Sequence, residues 1–150
     1  MMTDRVSRAE SFTRIPVQLK ITGIQTGDLA AEPVVLMVRG EYFQKKGTHY
    51  IFYTEYGEFG EKTRNRLTFR SGQVELKKQG PGRSVLTFET GKRINCHYHT
   101  VAGLMSLVSD TKKIHWEESS SHRRLYMEYS LLMNDQIMSD YQLTVEMTMA

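Results

Sequence analysis

The stretch that decides the fold spans residues 33 to 56 and reads PVVLMVRGEYFQ, then KKGT, then HYIFYTEY. Both arms are rich in β-branched and aromatic residues, which favour a pleated, half-buried surface. The link between them holds Gly47, which readily adopts the positive φ that a tight hairpin turn needs. On the second arm both alternating faces are largely apolar or aromatic. Such a strand is buried on both sides or closes a barrel, so the stretch predicts a central β-hairpin.

Shorter runs of the same kind flank this hairpin. The first, over residues 15–21, alternates apolar and polar residues, which indicates a strand with one solvated face. Turn signals separate further strands, predicted near residues 61–70, 74–77, 86–88, 94–100, 104–108, 114–116, 125–133 and 141–149. No stretch of the sequence has both the apolar periodicity and the end signals of a helix. The pattern predicts an all-β fold, as a barrel or a sandwich. We expect a single antiparallel barrel of about eight to ten strands in largely meander order, because closure leaves no strand edge exposed.

The length of the chain fits one domain. Its 150 residues can bury most of their apolar surface without disulfides or metals. Residues 1–14 are polar and without period, so we expect a tail or short arm there and one barrel domain over residues 15–150. Cys96 is the only cysteine, which excludes an intrachain disulfide and favours a reducing compartment. No apolar run approaches the roughly 20 residues of a membrane span, and no signal-peptide pattern is present, so we expect a cytoplasmic protein.

Charge is distributed unevenly along the chain. The formal net charge is only +3, yet residues 62–93 hold nine Lys or Arg against two Glu, a local balance of +7. The other 118 residues therefore carry −4. This asymmetry marks the segment as a candidate surface for an acidic partner.

A recurring order of short elements carries a family resemblance. The elements are Gly40-Glu41-Tyr42, residues 50–55, Leu67-Thr68-Phe69, Val74, Gly80, Leu86-Thr87-Phe88, Gly91, Tyr98, Thr100, Gly103, Leu125-Tyr126 and Tyr129. In this order and spacing the chain resembles the YwiB-like family of uncharacterised bacterial proteins over roughly residues 15–149. The resemblance implies a calycin-like β-barrel, similar in shape to lipocalins and fatty-acid-binding proteins, with no assigned activity or functional residues. The segment of residues 62–70 contains more arginine than we expect of a member of this family.

Polar residues within apolar strands form the candidate ligand site. A barrel of this strand number encloses side chains or one small ligand. Arg39, Tyr53 and Glu55 would either grip the polar end of a ligand or form internal ion pairs, because buried charges need partners. Tyr98 and Tyr129 are equally ambiguous, since each hydroxyl needs one partner. We therefore expect a binding module for a small amphipathic ligand or a protein partner. The bulky residues expected inside the barrel are Phe52, Phe69, Phe88, Tyr98, Leu125 and Met127.

No combination of residues in the sequence predicts catalysis. His97 and His99 share one strand face, as metal ligands in β proteins often do, but no third ligand is placed near them. Cys96 should face inward and the two histidines outward, so the thiol cannot reach either imidazole. We expect a buried, unreactive cysteine, a solvated pair of histidines, and no enzyme activity, metal or cofactor.

A basic stripe supports an alternative function. If the meander holds, six side chains lie on the outer face: Lys62, Arg64, Arg66, Arg70, Lys77 and Arg83. Such a face would bind RNA or another polyanion through its phosphates. Single-strand binders place stacking aromatic residues among their basic residues, and here we expect the aromatic residues mainly on the other face. We therefore place RNA or polyanion binding second to the binding of a small ligand or a protein partner.

Overall fold

The structure is a computed structural model that describes residues 13–27 and 31–149. The expected tail, residues 1–14, lies outside the described residues except for Thr13 and Arg14. Within the described ranges, no helical segment has the length and apolar character of a membrane span. The strands are β1 (Ile15–Thr26), β2 (Val34–Lys45), β3 (Thr48–Tyr56), β4 (Lys62–Arg70), β5 (Gln73–Gln79), β6 (Arg83–Glu89), β7 (Arg93–Thr100), β8 (Gly103–Glu118), β9 (His122–Met133) and β10 (Gln136–Met149).

These ten strands form one closed sheet. Each strand pairs antiparallel with its neighbour in sequence, and β1 pairs with β10 to complete the circle. The order is a pure meander, which confirms the predicted all-β barrel at the upper limit of the expected strand number. Closure removes the two edges that an open ten-stranded sheet would expose.

Two-residue turns with positive φ at both positions join three of the strand pairs. In the central hairpin the turn is Lys46-Gly47, with φ angles of 50° and 79°. Ser71-Gly72 and Asn134-Asp135 also have positive φ at both positions. Two successive positive φ values are typical of type I′ turns, whose twist matches that of the flanking strands. The hairpin predicted from residues 33–56 is therefore confirmed together with its turn.

One predicted pair of strands is a single long strand. Residues 104–108 and 114–116 both belong to β8. A bulge between Thr111 and Lys113 inserts an extra residue, so the inward positions change from odd to even numbers along this strand. Because the bulge interrupts the period of two, the sequence predicts a break there, and that prediction is wrong.

The barrel interior contains a core of buried apolar side chains. Phe69, Phe88, Leu125 and Met127 belong to this core or pack against it, as expected. Phe52 instead lies outside, where it stacks on Phe43 with ring centroids 5.8 Å apart. The prediction for Phe52 is wrong because its two neighbours in sequence face inward, and strand alternation then places it outside. The buried core residues are Val17, Leu19, Tyr42, Ile51, Tyr53, Leu67, Val74, Leu76, Phe88, Leu125, Met127, Val145 and Met147.

Two neighbouring strand pairs separate over part of their length. The β2–β3 ladder ends at the Gly40–Tyr53 pair, so residues 34–39 pair with β1 but not with β3. The β6–β7 ladder has three residue pairs. Where β6 and β7 are apart, the N–H of Thr87 donates to Cys96 Sγ at 3.4 Å and its carbonyl accepts from Ser109 Oγ at 2.6 Å. Side chains thus bridge the second gap, and the first gap leaves an opening in the wall.

Candidate functional site

Aromatic and polar side chains fill the end of the barrel that carries the Lys46-Gly47 turn. His49 is 6% exposed, and its ring centroid lies 4.4 Å from that of Trp116. Its two ring nitrogens lie 2.7 Å from the Tyr42 hydroxyl and 3.5 Å from the Glu118 carboxylate. Trp116 donates to the same carboxylate at 2.9 Å. This end is therefore occupied by a connected network of the protein's own side chains.

The network makes stability depend on pH through His49. Burial lowers the pKa of His49 below its usual value, and the Glu118 carboxylate opposes this only in part. The unfolded chain then binds more protons than the folded one, so stability is lost as the pH falls from about 6.5 toward the lowered folded pKa. We expect the melting temperature to drop between about pH 7.5 and about pH 5.5, and His49→Gln to remove most of that drop. Parallel thermal melts measure both, and an equal drop in the two proteins would contradict the assignment.

Polar side chains line the interior toward the opposite end. Lys78 Nζ lies 2.9 Å from Glu55 Oε1, and both side chains are 36% exposed. Burial, with the Glu55 carboxylate nearby, raises the pKa of Tyr53 far above its usual value. Burial also raises the pKa of Tyr129, whose ring centroid lies 4.6 Å from that of Phe88. Both phenols therefore keep their protons at neutral pH and can donate hydrogen bonds.

Two buried polar atoms in this region have no hydrogen-bond partner among the described residues. They are Oδ1 of Asn65 and Oγ1 of Thr111, in residues that are 3% and 1% exposed. Asn65 is in register with Tyr53 and with Lys78, and Thr111 is in register with Tyr129. Buried polar atoms are normally paired, so these two indicate a bound water or a ligand group. We call the following residues the interior polar cluster: Tyr53, Glu55, Asn65, Lys78, Thr111 and Tyr129.

A pocket of about 410 Å³ lies where β2 separates from β3. Both faces of the wall contribute to it because the ladder ends at the Gly40–Tyr53 pair. The pocket therefore borders the solvent and two members of the interior polar cluster. Its lining includes Val38, Gly40, Tyr53 and Asn65 from the inner face and Arg14, Arg39, Phe52 and Arg64 from the outer side.

The five residues predicted to bind a ligand fall into separate places. Tyr53, Glu55 and Tyr129 belong to the interior polar cluster, and Tyr53 also lines the pocket with Arg39. Arg39 is exposed on the outer face and not inside the barrel. Tyr98 is 37% exposed and belongs to neither the cluster nor the pocket. The structure thus groups four of the five around the opening and its interior.

The predicted basic stripe lies on the outer face. Its six members alternate with inward residues along their strands: Lys62, Arg64, Arg66, Arg70, Lys77 and Arg83. The aromatic residues on the strands of the stripe, Phe69 and Phe88, face inward as expected, but the neighbouring strand β3 adds aromatic residues to the outer face. Tyr50 and Phe52 both stack on Phe43 outside the barrel, and Phe52 is in register with Arg66. The two faces of β3 are similarly apolar, so the sequence does not show which of them is inside.

His97 and His99 lie on the outer face, in register with Val85 and Arg83 respectively. Cys96 is buried, as predicted. Within residues 13–27 and 31–149, no three His, Cys, Asp or Glu side chains are grouped as metal ligands would be. The two histidines therefore belong to the same outer surface as the basic stripe.

Three members of the interior polar cluster were not predicted from the sequence. The inward-facing positions of β5 continue to Lys78, and those of β4 continue back to Asn65. Applying the period of two over the whole length of both strands would therefore have placed both residues inside the barrel. Lys78 supplies the internal ion pair for Glu55 that the sequence leaves open as an alternative to ligand contact. Thr111 lies just before the bulge in β8, where apolar and polar residues do not alternate regularly in the sequence.

The closed, ten-stranded antiparallel meander defines a barrel of the calycin-like class. The chain belongs to the family described as Domain of unknown function (DUF1934), whose sequence profile matches residues 19–145. The crystal structure of the YwiB protein from Bacillus subtilis is similar, with a TM-score of 0.83 and 19% identity over 95% of this chain and 98% of that one. At that identity the likeness shows the fold alone. No curated protein matches this chain. The YwiB-like family and the calycin-like barrel expected from the sequence are thus confirmed.

Proposed function

We propose that the protein is a non-catalytic binding module for a small amphipathic molecule that carries an acidic group. The site is the pocket between β2 and β3 together with the interior polar cluster behind it. The observation that carries the proposal is the pair of unpartnered buried oxygens on Asn65 and Thr111. Leaving such an atom unpaired costs about 1–3 kcal/mol, so a bound molecule that satisfies it gains affinity.

Different parts of the site suit different parts of this ligand. Arg39 and Arg64 border the pocket, and neither forms an ion pair with a described residue. Their planar guanidinium groups match a carboxylate or phosphate in a bidentate manner. Asn65 Oδ1 accepts hydrogen bonds, so it selects a hydroxyl or N–H on the ligand. Val38 and Tyr56 supply apolar contacts.

The size of the pocket limits the ligand. A volume of about 410 Å³ lies near the lower end of the range of roughly 300–1,000 Å³ that small-molecule pockets occupy. The core residues on the inner side leave the remainder of the interior filled with protein. A metabolite-sized molecule therefore suits the site better than a long acyl chain.

Native mass spectrometry of freshly purified protein tests this proposal. We expect a species heavier than the chain by the mass of one small molecule, which is released on denaturation. Thr111→Val combined with Asn65→Ala removes both unpartnered oxygens and should reduce the bound fraction at least fivefold. Asn95→Ala is the matched control, because Asn95 is exposed on β7 and should leave the bound fraction unchanged. Wild-type protein that carries no small molecule, together with a Thr111→Val variant of higher stability, would contradict the proposal.

A further inference from the structure

The register of the outer face arranges side chains in two neighbouring rows that cross the strands. Between the rows, the side chains of Asn65, Lys78 and Ser84 point into the barrel, so their backbone forms the floor of a groove. We call this feature the basic groove. Its first row, from β3 to β7, is Phe52, Arg66, Lys77, Val85 and His97, and its second row, from β4 to β7, is Arg64, Gln79, Arg83 and His99.

Two adjoining pockets follow this groove. A pocket of about 220 Å³ lies over β4 and β5, and one of about 410 Å³ lies over β5, β6 and β7. Lys77 and Gln79 line both of them, so the groove is continuous. Neighbouring strands are about 4.8 Å apart, and the five strands β3 to β7 therefore give the groove a length of about 19 Å.

Each of the three central strands contributes to the groove one cation that is not neutralised by a described residue. Arg64 lies on β4, Lys77 on β5 and Arg83 on β6, and none of them forms an ion pair with a described residue. Arg66 differs, because Glu75 holds its guanidinium at 3.3 Å. A line of unneutralised cations at strand spacing attracts an extended chain of negative charges more than a single small anion.

Aromatic rings lie at both ends of the groove. Phe52 stands at the β3 end, and His97 and His99 stand at the β7 end, where both are exposed. Planar rings beside a row of cations are typical of surfaces that stack bases while they bind the backbone. An acidic protein segment would use the cations alone and would gain nothing from the rings.

We propose that the basic groove binds single-stranded nucleic acid, with backbone phosphates on Arg64, Lys77 and Arg83 and bases stacked on the rings at its ends. This surface adjoins the site of the proposed small ligand and shares Phe52 and Arg64 with it, but it extends beyond that site, because Lys77 and Arg83 do not line the pocket between β2 and β3. Of the predicted stripe, Lys62 and Arg70 lie outside the two rows and make no direct contribution.

Fluorescence anisotropy with labelled oligo(U) and oligo(dT) of about 12 nucleotides tests the proposal. Replacing Arg64, Lys77 and Arg83 by Ala together should weaken binding at least tenfold. It should also lower the slope of log affinity against log salt by about 2, because each single-strand phosphate contact contributes about 0.7. The matched control replaces Lys20, Lys112 and Lys113 by Ala, which removes the same charge from exposed positions on β1 and β8. Its affinity should stay within twofold of wild type.

Four results would overturn the proposal. The first is no binding by the wild-type protein at low salt, and the second is an equal loss in the two triple variants, which would reflect net charge alone. Phe52→Leu should weaken oligonucleotide binding at least threefold and leave inorganic polyphosphate binding unchanged, so the third is a Phe52→Leu variant that binds the oligonucleotide as tightly as wild type. The fourth concerns other polyanions. If polyphosphate or poly-glutamate of matched charge binds as tightly as the oligonucleotide, the groove takes any polyanion and the assignment to nucleic acid fails. Thermal melts of each variant establish that it is folded.

Discussion

Phe88→Ala should lower the free energy of unfolding by about 3–5 kcal/mol. The side chain is fully buried, and its ring packs against that of Tyr129 with centroids 4.6 Å apart. It lies on β6, which has only three residue pairs with β7, so packing and side-chain hydrogen bonds hold this part of the wall where the backbone ladder is absent. Chemical unfolding followed by far-UV circular dichroism gives the change in free energy.

Val85→Ala is the control for this measurement. Val85 lies on the same strand but faces outward and is 39% exposed, so its truncation should cost about 0.5 kcal/mol or less. The contrast isolates the effect of the interior from any effect of strand propensity, because both changes replace a β-favouring residue in β6. Equal unfolding midpoints for the two variants would mean that the interior is not packed around Phe88.

The strand order and the outer basic stripe could be predicted because they depend on local signals. A period of two, short turn sequences and chain direction are sufficient to predict that Arg64 and Leu67 lie on different faces of β4. The structure has them on different faces. The same signals fail on β3. There, Phe52 and Tyr53 are both aromatic, so composition cannot decide which is inside, and the choice is made by the strands that pack against them.

The interior polar cluster could not be predicted as a unit for a different reason. Tyr53 and Tyr129 belong to β3 and β9, which are not neighbours in the sheet, and they approach each other only across the closed barrel. That approach depends on the register with which β1 meets β10 and on the bulge in β8. Neither is visible as a local pattern, so the sequence predicts individual candidates such as Tyr53 and Glu55 but not their partners.

The distribution of polar groups explains why the two proposed sites lie on one side of the barrel. At the end with the Lys46-Gly47 turn, the buried His49 has a partner for each ring nitrogen. Around the opening beside β2, Asn65 Oδ1 lacks a hydrogen-bond partner, and Arg39 and Arg64 lack a counter-ion, among the residues that the structure describes. Unsatisfied groups of opposite kinds, acceptors inside and cations outside, favour ligands that contain both donors and negative charge.

Gly40→Ala should destabilise the protein by about 1–3 kcal/mol and disturb the opening. A Cβ at this position would lie 2.5 Å from the backbone carbonyl oxygen of Phe52 and 2.7 Å from Leu19 Cδ1. The carbonyl belongs to the paired strand, so β2 would have to move away from β3 at the last pair before the two strands separate. Thermal and chemical unfolding measure the loss of stability, and native mass spectrometry of the same sample measures the bound fraction.

Gly23→Ala is the matched control, because Gly23 also lies within a strand and a Cβ there would meet nothing within 4 Å. Where the backbone conformation allows it, a change from glycine to alanine is neutral or stabilises by up to about 1 kcal/mol, since the unfolded chain loses freedom. The two variants thus carry the same chemical change and should shift stability in opposite directions. If Gly40→Ala is as stable as Gly23→Ala, β2 and β3 do not approach as closely at this position as the structure shows. The end of their ladder would then not fix the width of the opening.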